Sequence, residues 1–288
     1  MPLNWKRHLR ISRRRLLKGA AATAGLSLAT GFYTWRIEPH WLQIVERSLP
    51  IVHLPSSLLG ARLAQLSDLH IGRQVDDSYL LETFARVREV APEIVVYTGD
   101  FTTYAPDVLD HARAMFADLP LGNRATCGIL GNHDYGPTWS RSDVADDLVA
   151  IAQSAGVKIL RNEIHEVDGL QVIGLDDLWA GRFDVRKAIA GTDLLQPAIA
   201  LSHNPDTADE PGWGDYSGWI LAGHTHGGQC KPPFLPPPML PVKNRRYTSG
   251  EFELTGGRRM YINRGVGHLM RVRINARPEV TLFQLTRA

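Results

Sequence analysis

Five short clusters in this chain hold residue types suited to chemistry: Asp68-Leu69-His70, Gly99-Asp100, Gly131-Asn132-His133-Asp134, His203-Asn204-Pro205 and Gly223-His224-Thr225-His226. Five of the eleven histidines fall in them, although they cover few positions. Carboxylate, imidazole and amide together form a donor set for divalent cations such as Mn, Fe or Zn. The chemistry such a set serves best is cleavage of a phosphate ester, whose anion repels hydroxide and whose leaving oxygen departs poorly. Two cations roughly 3.5–4 Å apart neutralise the phosphate and supply a hydroxide near neutral pH. Holding cations that close needs a bridging carboxylate. Alternation in Asp-x-His and His-x-His turns both donors of a pair to one side of an extended segment. The flanking glycines let the backbone pass where a side chain would obstruct the ions. Taken singly, Asp68, Asp100 and Asn132 could simply cap strand ends or turns. As a set with His70, His203, His224 and His226 they are not explained that way.

Such clusters need elements that bring them together. Short β-branched or Leu-rich runs predict strands at 62–66, 94–98, 126–130, 157–160, 171–175, 198–202, 219–222, 259–263 and 280–285. Helical apolar spacing predicts helices at 77–90, 106–117, 142–155 and 183–190. Helices alternate with strands through the first two-thirds, then strands dominate, which predicts an α/β domain with face-to-face sheets between helices. Each chemical cluster directly follows a predicted strand, and sites in open α/β sheets gather at the carboxyl edge. Residues 36–60 read as a connector with strand-like runs at 42–45 and 50–54, and the domain itself as 61–288. Six prolines in 232–241 mark an irregular loop.

The series DLH, GD, GNHD, SHNP, GHTHGGQ resembles the calcineurin-like metallophosphoesterase superfamily in order and spacing from about Arg62 to Gln229. The closing stretch Asn263-Arg264-Gly265-Val266-Gly267 with Pro278-Glu279 is similar to its exported or membrane-associated phosphodiesterase branch. The resemblance implies a four-layer α/β/β/α sandwich and two divalent metal ions. Position by position it implies Asp68, His70, Asp100 and His226 around one metal and Asp100, Asn132, His203 and His224 around the other, with Asp100 as bridge. It implies that His133 stabilises or protonates the leaving oxygen. Several relatives carry an acid three residues after the bridging aspartate, within reach of the GNHD histidine; this chain has Thr103 there. Without that carboxylate an imidazolium at His133 loses a stabilising charge.

Hydrophobic content of 44% and charged content of 22% are those of an ordinary globular protein. Seven of the 32 Lys and Arg lie in residues 1–18 without an acid, leaving 25 bases against 30 acids in the rest. A mildly acidic body argues against a surface that coats nucleic acid, and no stable nucleic-acid partner is expected. The basic charge belongs to a leader: Ser12-Arg13-Arg14-Arg15-Leu16-Leu17-Lys18, followed by an apolar stretch to about Trp35, resembles a twin-arginine translocation signal within residues 1–35. That predicts use of the twin-arginine export machinery and a location in the periplasm or on the outer face of the cytoplasmic membrane. Cleavage after Ser27-x-Ala29 and retention as an anchor both stay open, although about 17 diluted apolar residues are short for a span of roughly 20.

Several residues invite two readings. Asp134 is expected to fix its turn rather than bind metal. Arg264, Arg271 and Arg273 could contact phosphate, or form a solvated face. Trp213, Trp219 and the 232–241 loop could touch lipid, or pack on their own domain. His8, His40, His53, His111, His165 and His268 lack matching spacing and are expected to be surface or satisfied core residues. Cys127 and Cys230 are expected as two buried free thiols. The expected function is a phosphodiesterase using a metal-bound hydroxide on a phosphodiester or pyrophosphate, small or lipid-linked. A UDP-2,3-diacylglucosamine pyrophosphatase-like hydrolase and a catalytically silent metal-binding envelope protein are the alternatives. The His-x-His-x-Asp-His signature of β-lactamase-like metallohydrolases is absent.

Overall fold

A computed structural model describes residues 12–288. His8 and the basic residues Lys6, Arg7 and Arg10 of the N-terminal segment expected to be a leader lie outside the described residues.

Twelve strands form two six-stranded sheets. The first runs β1 (Gln43–Ile51), β12 (Glu279–Arg287), β2 (Arg62–Leu66), β3 (Ile94–Thr98), β4 (Ala125–Ile129), β5 (Lys158–Ile159). The second runs β10 (Gly250–Glu253), β11 (Arg259–Ile262), β9 (Trp219–Ala222), β8 (Ala198–Ser202), β7 (Leu170–Gly174), β6 (Glu163–Val167). Within each sheet a parallel centre is formed, β2 to β5 in one and β7, β8, β9 and β11 in the other. Antiparallel strands sit beside these centres.

Period-two alternation sorts the side chains into layers. Leu63, Ile94, Val96, Cys127 and Ile129 of the first sheet meet Leu170, Val172, Ile199, Leu201 and Leu221 of the second. Ala64, Leu66, Val95 and Tyr97 point the other way, under helices α2 (Asp77–Val90), α3 (Val108–Phe116) and α4 (Ser142–Ser154). In α2 the buried set Tyr79, Leu80, Thr83, Phe84 and Val87 makes one continuous stripe. The outer face of the second sheet, Ile173, Ala200, Ile220, Met260 and Ile262, lies under α5 (Val185–Ile189) with Trp213 and Tyr216. The chain is thus a four-layer α/β/β/α sandwich whose fourth layer is thin.

Three departures have local causes. The segment expected to be a connector contributes β1, a nine-residue strand parallel to β12, in place of two short runs. Its outward residues are polar, which masked its length. Strand β6 was not expected because its sequence, Glu163-Ile164-His165-Glu166-Val167, is charged and half exposed. It pairs with β7 through Asp168-Gly169, both at positive φ, a two-residue hairpin turn with the Asp-Gly signature. Likewise β10 is an edge strand with exposed glutamates. Trp213 and Trp219 are buried, so neither touches lipid. Cys127 is buried and Cys230 only half so, both free.

N-terminal to the sandwich, α1 (Arg13–Phe32) starts at Ser12, whose hydroxyl accepts from the Arg15 amide, and none of its residues is buried. Among the described residues, no helix is long and apolar enough to cross a membrane.

Candidate metal centre

The carboxyl ends of β2, β3 and β4 and of β8 and β9 meet at one edge and deliver all five clusters. Each strand end turns sharply there. Asp68, His70, Asp100, His224 and His226 all have φ between +49° and +71°. The left-handed region costs a residue with a Cβ roughly 1–2 kcal/mol. Such strain persists only where the surroundings over-determine it, and it collects at functional sites. Gly99, at φ +89°, has no room for a Cβ, which would lie 2.7 Å from His203 Nδ1. A Cβ at Gly131 would lie 2.3 Å from Asp100 Oδ1.

Two triads of donors result, each with its ligating atoms within 4.8 Å of one another: Asp68, His70 and His226, and Asp100, His203 and His224. In the first, His70 Nε2 is 3.1 Å from His226 Nε2, and Asp68 Oδ1 is 3.4 Å from His226 Nε2 and 3.9 Å from His70 Nε2. In the second, His203 Nε2 is 3.1 Å from His224 Nδ1 and 3.2 Å from Asp100 Oδ2. Asp100 Oδ2 also lies 3.7 Å from His70 Nε2, so this one oxygen faces both triads. Asn132 is fully buried, and neither atom of its amide has a hydrogen-bond partner. Such a group costs stability unless something binds it.

Hydrogen bonds on the far side of three of the rings hold them with one nitrogen facing the triads, as partners of metal-ligating histidines do. His203 Nδ1 donates to the Thr98 carbonyl at 2.8 Å, which frees Nε2. His224 Nε2 donates to the Pro241 carbonyl at 2.8 Å, which frees Nδ1. His70 Nδ1 meets the Thr103 hydroxyl at 2.8 Å. The selected nitrogens of His203 and His224 would thus point lone pairs at each other at 3.1 Å, an arrangement that needs a cation or a proton between them.

The electrostatics agree. Burial pushes His70 and His224 down to about 3, and His226 well below its ordinary value, so these rings are neutral, as ligation requires. Burial also opposes charge on His203, but Asp100, Asp68 and Asp177 outweigh it and push it up to about 10. Burial would raise Asp100 too, yet the neighbouring imidazoles hold it well below the usual carboxylate range. These buried carboxylates call for positive charge, which two cations fit. The donor set suits Mn, Fe or Zn alike.

Asp134 accepts from the amides of Gly131, Thr102 and Phe101 at 2.9, 3.0 and 3.3 Å, which fixes the turn as expected. His133 is the one cluster histidine that is not fully buried. Its amide donates to Asp100 Oδ1 at 2.9 Å, and its ring stands edge-on to His70, centroids 5.2 Å apart. Thr103, considered above for its effect on His133, instead bonds His70. His268 is buried with Nε2 on the Gln74 carbonyl, and His111 pairs with Asp77, so neither joins the centre.

The three arginines differ from both sequence expectations or refine them. Arg273 is fully buried, donating to the carbonyls of Arg264, Gly265, Gly267 and Ala276, with Nη2 3.4 Å from His226 Nδ1. It is neither a solvated surface residue nor a phosphate contact. It clamps the 264–267 loop, whose Val266 and Gly267 amides bond the backbone of Ser67 and Asp68. Arg264 is held by Glu279 and Gln43, and Arg271 by Asp76.

A family model described as calcineurin-like phosphoesterase matches residues 61–228, more than half the chain. The chain belongs to the calcineurin-like phosphoesterase family. Its relatives there include Phosphodiesterase YaeI of Escherichia coli, 32% identical over 96% of this chain and 99% of that protein. YkuE of Bacillus subtilis, a metallophosphoesterase, is 31% identical over 96% of this chain and 98% of that one. UDP-2,3-diacylglucosamine pyrophosphatase LpxG of Chlamydia trachomatis is 28% identical over 92% and 97%. Among solved structures, the Haemophilus influenzae NAD nucleotidase matches 72% of this chain and 45% of its own at 16% identity, TM-score 0.45. As a calcineurin-like phosphoesterase, this protein is a hydrolase acting on phosphoester bonds.

Proposed function

We propose that the chain is a phosphodiesterase in which Asp68, His70, Asp100 and His226 hold one divalent cation and Asp100, Asn132, His203 and His224 the other. The observation that carries this reading is Asp100 Oδ2, poised between the two triads beside the unpartnered Asn132 amide. When bound, two cations neutralise the phosphate and make a water acidic enough to attack phosphorus at neutral pH. The chain's own part is to fix the donors from behind, through Thr98, Thr103 and Pro241, and to exclude bulk water around them. His133, partly exposed beside this centre, donates a proton to the departing oxygen and recovers it from solvent.

The substrate we favour is a phosphodiester or pyrophosphate presented at a membrane surface. Support comes from the loop before Pro241, where Phe234, Leu235 and Met239 are exposed, and from Leu269 and Met270, also exposed; Gln229, just ahead of that loop, donates through Nε2 to the Met270 carbonyl at 2.9 Å. The paired arginines near the N-terminus support a reading in which this surface works on the outer face of the cytoplasmic membrane after twin-arginine export. Likeness to LpxG favours a second reading, a pyrophosphatase acting on a UDP-linked acylated sugar. A catalytically silent role is disfavoured because the seven donors are all present. The test is turnover by the Mn²⁺-reconstituted protein of an aryl phosphodiester, an aryl monoester and UDP-2,3-diacylglucosamine. Faster diester turnover is expected, monoester preference would overturn the diesterase reading, and preference for the UDP-lipid would replace it by the second.

A further inference from the structure

Strand β7 belongs to the parallel centre of the second sheet, yet none of the five clusters follows it. Its end carries Asp176-Asp177 instead. The strand pairs with β8, Gly174 opposite Leu201, and the Leu175 amide continues the ladder to the Leu201 carbonyl, so this loop starts beside His203. Two residues on, Trp179 packs edge-on against His224, ring centroids 4.5 Å apart, and stacks on Trp139.

The two aspartates differ. Asp176 is paired: Oδ2 takes Arg161 Nε at 2.9 Å, and Oδ1 takes the Tyr135 hydroxyl. Asp177 is 1% exposed, and its Oδ1 caps the Ala180 amide at 2.7 Å. Its Oδ2 is buried with no hydrogen-bond partner, and among the described residues no Lys, Arg or His nitrogen lies within 4.0 Å of this carboxylate. Among the described residues it is the only carboxylate with a buried, unpartnered side-chain oxygen, the condition also shown by the proposed ligand Asn132. Buried carboxylates are paired or serve cations. The charges of His203 and Asp100 both reach it. Its oxygens are absent from the donor triads, so it stands outside direct ligation.

We infer that Asp177 is an outer-shell residue of the cation site formed by Asp100, Asn132, His203 and His224, its free oxygen accepting a hydrogen bond from a water in that ion's coordination shell. This is a positioning role, and it rests on the dinuclear reading proposed above. It makes the β7 loop, through Asp177 and Trp179, a further wall of the centre.

The test is calorimetric titration of the metal-stripped full chain with Mn²⁺. Asp177→Asn keeps an oxygen for the Ala180 amide and removes the charge. One of its two Mn²⁺ sites should lose about 10–100-fold in affinity, as outer-shell substitutions do, with the other site unchanged and the melting temperature of the stripped protein not lowered. Should that variant not fold, Asp177→Ser, which also retains an oxygen near Ala180, gives the same measurement. Two sites of wild-type affinity in the folded variant would overturn the inference, as would an equal loss at both sites with a lowered melting temperature. Wild-type protein that binds fewer than two Mn²⁺ would instead sink the dinuclear reading itself.

Discussion

At the scale of residues, the centre is a problem of aiming lone pairs. Four imidazoles face one another and two aspartates in a space closed to solvent, and His70, His203 and His224 are each held by a group behind the ring. The Thr103 hydroxyl steers His70. Thr103→Val, nearly isosteric but without the hydroxyl, should weaken Mn²⁺ binding about 10–100-fold; a titration matching wild type would show that His70 needs no such partner. The six residues of the two triads were legible in the sequence because their types and spacing are unusual together. The steering groups were not, since Thr98, Thr103 and the Pro241 carbonyl act through folding contacts and carry no local signature. Arg273 shows the same limit: alternation with Arg271 suggested a surface, whereas burial and four carbonyl partners make it a structural clamp.

At the scale of elements, the site depends on strands that end abruptly in left-handed residues. Gly99 is a position where both φ and the surroundings exclude a side chain. Gly99→Ala should cost at least about 1–2 kcal/mol from backbone handedness alone, more with the crowding at His203. That corresponds to a melting temperature lower by several degrees, together with loss of Mn²⁺ binding. An unchanged melting curve would mean that the turn relaxes freely. The predicted central strands and helices were found within a few residues, because full burial enforces runs of apolar side chains. Edge elements were missed, as β6 and β10 were, or read as two short runs, as β1 was, for the opposite reason. Strands β1, β6 and β10 expose one face, so their charged residues hide the alternation that only pairing reveals.

At the scale of the whole molecule, a mildly acidic sandwich follows a basic N-terminal segment and an unburied helix, with exposed apolar loops near the centre. Export is the property this arrangement predicts. Replacing Arg13 and Arg14 together by lysine should trap the protein inside the cell, as read by fractionation, and normal export of that variant would discredit the twin-arginine reading. The account as a whole turns on Asp100 joining two cations. Elemental analysis of the Mn²⁺-reconstituted protein, paired with hydrolysis of an aryl phosphodiester by wild type and Asp100→Asn, tests this most directly. The account predicts two ions per wild-type chain, and in the folded variant a lost ion with turnover down more than ~100-fold, beyond the usual cost of outer-shell changes. Two ions and wild-type turnover in Asp100→Asn would contradict it.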